Sequence, residues 1–115
     1  MAVSGAYTVT GNTITLTAAT SAPTPAQCSS VTLGGNQYRV INSSSTTGCF
    51  LSFAADATTA TNNCVIPTGA GANSTRTVYL LPNTDEVITF VPNAYFTAIT
   101  SSGTAVLYIS PGDGM

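Results

Sequence analysis

The periodic stretches of this chain are short and built from β-branched and aromatic residues, and several are cut off by Gly, Asn or Pro. Val, Ile and Thr lose χ1 freedom in a helix and pack well on a pleated surface, while the straight-chain helix formers are nearly missing, with Glu present once and Lys never. Alternation predicts strands near Tyr7 to Thr10, Thr13 to Thr17, Ser30 to Leu33, Gln37 to Asn42, Cys49 to Phe53, Arg76 to Leu81, Glu86 to Val91, Ala94 to Thr100 and Thr104 to Ser110. Strands this short and numerous imply an all-β fold, an antiparallel β-sandwich of jelly-roll type with about eight or nine strands.

The turns carry their own chemistry. Gly11-Asn12, Gly34-Gly35-Asn36 and Ser101-Ser102-Gly103 tolerate positive φ between β-rich runs, and each predicts a hairpin. Pro82-Asn83-Thr84-Asp85 and Pro92-Asn93 stop strands, because Pro cannot donate to a ladder. Within strands, Val87, Thr89 and Val91 oppose Ile88 and Phe90; Phe96, Ala98 and Thr100 oppose Tyr95, Thr97 and Ile99; and Ala105, Leu107 and Ile109 oppose Val106 and Tyr108. Ala94 to Ser110 therefore reads as a hairpin apolar on both sides, either central in the sandwich or covered by another subunit. Two stretches, Ala18 to Ser29 with Pro23 and Pro25, and Ala54 to Thr75 with Val65 and Ile66, read as excursions from the body that reach neighbours or face solvent.

A chain of 115 residues suits one domain, 1–115, flanked by an extended N-terminal segment and a C-terminal tail. Its 43% hydrophobic content excludes a disordered chain. The longest apolar runs, such as Val78 to Leu81, are strand-sized and fall far short of a membrane-spanning helix. The first residues, Met-Ala-Val-Ser-Gly-Ala-Tyr, show neither the basic nor the apolar region of a secretory signal, so the chain as given reads as one without a Sec-type leader.

Charge is the second constraint. Two Lys and Arg together, four Asp and Glu, and no His leave nothing that titrates near neutrality to act as a general base, and no cationic surface for phosphates or nucleic acid. Asp85 and Glu86 are adjacent carboxylates, but strand neighbours point to opposite faces, and a glycosidase needs both in one cleft. Gly112-Asp113-Gly114 lacks the alternating acidic ligands of a calcium loop and reads as tail. Hydroxyl nucleophiles abound without a GxSxG elbow. Asn42-Ser43-Ser44 and Asn73-Ser74-Thr75 match the glycosylation acceptor pattern, which arises readily in such a composition. Cys28, Cys49 and Cys64 match no zinc spacing, so free thiols are the default; Cys49 reads as a buried hydrophobe, and a disulfide between Cys28 and Cys64 stays open. No catalytic, metal or cofactor site emerges, which points away from an enzyme. Sugar binding is a competitor, since Tyr7, Tyr38, Tyr79, Tyr95 and Tyr108 could form aromatic platforms, although all five lie within predicted strands.

The segment from Pro92 to Met115 runs Pro-Asn-Ala-Tyr-Phe-Thr-Ala-Ile-Thr-Ser-Ser-Gly-Thr-Ala-Val-Leu-Tyr-Ile-Ser-Pro-Gly-Asp-Gly-Met. An aromatic before Ala-Ile, a Ser-Gly turn, an apolar strand and a Pro-Gly-acidic-Gly ending resemble the C-terminal end of small all-β capsid decoration (cement) proteins of tailed bacteriophages. The resemblance implies a structural virion protein, made in the host cytoplasm, that binds the major capsid protein on the outside of the shell as a homo-oligomer, a dimer before a trimer. A tail or fibre component, or a glycan- or host-surface-binding module, is the alternative. No family motif pins single residues. The expected partner-binding residues are therefore regional: Tyr7 in the N-terminal segment; Pro23, Pro25, Val65 and Ile66 in the excursions; Tyr95, Phe96 and Tyr108 in the C-terminal hairpin; and Met115 in the tail.

Overall fold

Strands with one apolar face must bury it against another such face, and this chain does so in two stacked antiparallel sheets. The computed structural model describes residues 7–30, 35–68 and 77–113. In chain order the elements are β1 (Thr8–Val9), β2 (Ile14–Ala18), β3 (Ala26–Gln27), β4 (Gln37–Asn42), β5 (Cys49–Ala54), α1 (Ala57–Asn63), β6 (Thr77–Leu80), β7 (Thr84–Thr89), β8 (Tyr95–Ile99) and β9 (Ala105–Asp113). The first sheet runs β1-β9-β4-β7, with β2 also on β9, and the second runs β3-β8-β5-β6. The all-β expectation is met. Of the expected strand Ser30 to Leu33, only Ser30 is described, as an isolated bridge to Gly11; residues 31–33, like Arg76, Asn73-Ser74-Thr75 and Met115, lie outside the described residues.

The alternation assigned from sequence is the one that builds the core. Ala105, Leu107 and Ile109 of β9 face Phe96 and Ala98 of β8, joined by Leu16, Tyr38, Val40, Cys49, Leu51 and Leu80, all buried. Tyr38 meets Phe96 edge-on at 4.8 Å, and Phe53 stacks between Phe90 and Phe96. Burying one such aromatic ring contributes about 2–3 kcal/mol.

The predicted hairpins are the main correction. β8 and β9 lie in different sheets, so Ser101-Ser102-Gly103 turns a corner between sheets, and the same holds for Pro82-Asn83 and Pro92-Asn93. Their positive φ values, 56° at Asn83, 60° at Asn93 and 74° at Gly103, reverse the chain across the sandwich rather than within one sheet. The span from Ala94 to Ser110 is thus two central strands, which explains its apolarity on both sides. β4 is flanked by β7 and β9, so it is not half of a local hairpin after Gly34-Gly35-Asn36.

Gly11-Asn12 makes no hairpin either. β1 and β2 run in the same direction along one edge of β9, but the register slips by two residues between Thr10, which bonds Pro111, and Ile14, which pairs with Ile109. The slip is a bulge that bends the strand. Gly11 is required there, since a Cβ would sit 2.0 Å from the Ser29 carbonyl oxygen. The expected tail at Gly112-Asp113 is instead the end of β9, paired with Thr8 and Val9.

Part of each expected excursion packs down. Within Ala18 to Ser29, β3 forms an edge of the second sheet, and the Pro23 carbonyl accepts a 2.8 Å hydrogen bond from Thr97. Within Ala54 to Thr75, seven residues form α1, N-capped by Asp56. Thr and Asn are weak helix formers, so tertiary contact supports this turn: Ala60 is buried, and its carbonyl accepts from the Ser52 hydroxyl at 2.8 Å.

Two inward polar side chains of β4 tie the corners on either side of β7. The Asn42 amide donates to the carbonyls of Thr47, Leu80 and Leu81, and its oxygen accepts from the Ser44 N–H. The Tyr38 hydroxyl donates to the Val91 carbonyl at 2.5 Å and accepts from the Ala94 N–H at 3.1 Å. Removing either group leaves buried backbone unpaired. Tyr38→Phe is expected to destabilise the domain by about 1–3 kcal/mol with the sheets intact, read as a lower denaturant midpoint with an unchanged far-ultraviolet spectrum.

Candidate functional site

Few of the residues singled out from sequence offer free surface. Phe96 is fully buried, because β8 turns it inward against Tyr38, and it offers no surface on this domain. Tyr7 is half-buried and works within the fold: its hydroxyl donates to the Ser110 carbonyl at 2.5 Å and accepts from the Arg39 N–H at 3.2 Å, and its ring covers Gly112. Pro23, Pro25, Ile66 and Tyr95 are half-buried. Val65 and Tyr108 are exposed, at 48% and 42%.

The structure gathers a patch the sequence reading missed. Val78 and Tyr79 of β6, Leu81 just after it, Val87 of β7 and Val91 just beyond are all exposed. β6 and β7 are the terminal strands of their sheets on the same side of the sandwich, so these side chains fringe one open edge. The signal was the uninterrupted run Val78 to Leu81: a strand apolar on both faces buries only one of them at an edge. Tyr79 is braced there by Phe50, ring centroids 4.8 Å apart.

At one end of this edge a cleft of about 500 Å³ opens between the sheets, floored by Phe53, Val78 and Phe90 and rimmed by Asp56, Thr59, Asn63 and Thr77. The Thr77 hydroxyl is the one buried side-chain oxygen among the described residues without a hydrogen-bond partner. Asp56 spends both carboxylate oxygens on Thr59, accepting from its N–H at 2.8 Å and its hydroxyl at 2.9 Å, and these bonds hold its pKa below the usual value.

A second surface, bordered by the Arg39–Asp85 ion pair, lies on the outer face of the first sheet. Tyr108 stands there between its cross-strand neighbours Thr15 and Ile41, with Thr13 and Ser110 hydrogen-bonded beside them at 2.7 Å. Arg39 and Asp85 form an exposed ion pair at 2.9 Å, an interaction that contributes about 0–1 kcal/mol. Asn42, first in an acceptor-like triplet, is buried and its amide committed to backbone.

Among the described residues no three His, Cys, Asp or Glu side chains cluster, and no helix is long and apolar enough to cross a membrane. Cys28, Cys49 and Cys64 are all buried and unpaired, so the Cys28–Cys64 disulfide left open by the sequence is not made. Comparison with known proteins finds no family model, curated protein or solved structure that matches the chain.

Burial pushes the thiol of Cys28 up to about 12 and those of Cys49 and Cys64 up to about 11. An unfolded thiol ionises near 9, so from there upward the unfolded chain sheds protons that the folded chain keeps. Stability is complete below that pH and is lost progressively toward pH 11 to 12. A denaturation series should show the midpoint falling only above about pH 9. A thiol reagent at neutral pH should label none of the three cysteines until denaturant is added.

Proposed function

We propose that this chain is a structural virion protein, a decoration or cement protein that binds the outside of a tailed-phage capsid and stabilises it. The observation that carries the reading is the pair of separate surfaces with exposed apolar or aromatic side chains at their centres, the β6–β7 edge and the Tyr108 face. A building block needs two contacts, one to its own kind and one to the lattice it clamps, and neither needs catalytic groups or a cofactor. The major capsid protein is the partner on the Tyr108 face, where Tyr108 is the anchor, since an exposed aromatic ringed by hydroxyls suits a contact centre.

The jelly-roll reading of the fold belongs with this proposal. It is supported by the order β2-β9-β4-β7 stacked on β3-β8-β5-β6, and by the change of sheet at every step from β2 to β9 except β5 to β6. The C-terminal resemblance to decoration proteins points the same way. A tail or fibre component shares these features and differs in its place on the particle.

A second reading, a glycan- or host-surface-binding module, is favoured by the cleft over Phe53 and Phe90, where Asp56, Asn63 and Thr77 bring polar groups to an aromatic floor.

The test strips the protein from particles, measures the temperature at which they release DNA, and adds it back across about 50–500 mM salt. Restored heat stability with little salt dependence is expected, because so few charges are available to screen. Tyr108→Ala should weaken rebinding at least about tenfold. Stripped shells as heat-stable as intact ones would sink the cement reading, and saturable binding of free sugars abolished by Asn63→Ala would favour the second.

A further inference from the structure

The assembly reading leaves open how copies meet, and the hydrogen-bond phase of β7 answers it. Among the described residues β7 pairs with β4 along one side only. Phe90 N–H donates to the Asn36 carbonyl at 2.8 Å, one step beyond the Gln37–Thr89 pair. In an antiparallel ladder bonded and non-bonded pairs alternate, so Thr84, Glu86 and Ile88 turn their backbone groups toward β4. Asp85, Val87 and Thr89 turn theirs to the open edge. No Pro or bulge interrupts this edge, and Val87 itself is 40% exposed.

We propose that the protein is a two-fold dimer in which β7 pairs antiparallel with β7 of a second copy, making the first sheet continuous across both. A second copy is the fitting occupant because the edge is self-complementary in one register. Bonds form only where open-edge residues face each other, which centres the two-fold on Glu86, Val87 or Ile88. Centring on Glu86 sets two carboxylates directly opposite. Centring on Val87 leaves them on the diagonal, about 7–8 Å apart. Centring on Ile88 moves them four residues apart, about 13 Å, and packs Ile88 against Ile88 while Val87 and Thr89 exchange backbone bonds with their opposite numbers.

The two-fold axis of a continuous antiparallel sheet stands perpendicular to it, so both second sheets lie on the same side. The β6 edges then face each other as well, and exposed Val78 and Leu81 come to the interface. The dimer accounts for the apolar fringe that the fold leaves bare. The inference rests on the assembly reading for its biological sense, but its test uses the isolated protein alone.

Val87 N–H points away from β4 and bonds nothing among the described residues, so Val87→Pro removes a donor at the open edge without breaking the β4–β7 ladder. Sedimentation of the native protein at high micromolar concentration should give a dimer. Val87→Pro should give a monomer with an unchanged far-ultraviolet spectrum. Ile88→Cys, oxidised, should form a covalent dimer through the two-fold, while the buried native thiols stay reduced. A native monomer, or a Val87→Pro protein that still dimerises fully, overturns the proposal. If Val87→Pro fails to fold, the Ile88→Cys yield decides, and no covalent dimer overturns it. A monomeric variant that no longer protects stripped particles would tie the dimer to the cement reading, and a native monomer that protects them would overturn the dimer and leave the cement reading standing.

Discussion

The structure depends on β4, whose inward face carries two hydrogen-bonding side chains among the core apolars. Tyr38 and Asn42 are each fully buried, and each spends its hydrogen bonds on the backbone of a corner. Asn42 closes the corner entering β7, and Tyr38 closes the one leaving it. A buried polar group is costly unless satisfied, and once satisfied it tolerates only one geometry. These two side chains therefore hold β7, an edge strand with support on one flank, at both of its ends.

That arrangement explains which parts of the fold were legible in the sequence. Face assignment was legible because period-two alternation is a local property: Ile88 and Phe90 against Val87 and Thr89, or Leu107 and Ile109 against Tyr108, follow from the chain alone. Sheet membership was not. A positive φ at Asn83, Asn93 or Gly103 marks a reversal of direction, but the same reversal serves a hairpin or an arch between two sheets, and the choice is made by packing partners far away in sequence. The bulge at Gly11 was hidden for a related reason, since a Gly-Asn pair signals a turn whether or not the strand resumes in the same direction. The helix at Ala57–Asn63 had only Asp56 as a local signal, and its stability comes from Ala60 resting on Ser52.

The candidate surface was less legible than the fold. Sequence reasoning looked for contact residues in the termini, two loops and the C-terminal hairpin, and much of that material packs into the body: Pro23 bonds Thr97, Tyr7 spans β9 and β4, and Phe96 is core. Tyr108 survived as an exposed aromatic because alternation places it outward. The β6–β7 fringe escaped notice because a two-sided apolar strand suggests a central position, whereas Val78 and Tyr79 sit at a margin. Only the strand order separates the two cases.

The three buried thiols make unfolding a one-way event in an oxidising medium. While the domain is closed, each sulfur is protonated and shielded, and no disulfide guards the fold against opening. Once the core opens, the thiols regain ordinary reactivity and can join in pairings that the native sandwich does not accommodate. The lifetime of such a protein outside a reducing compartment is therefore set by how rarely it opens, a rate rather than an equilibrium.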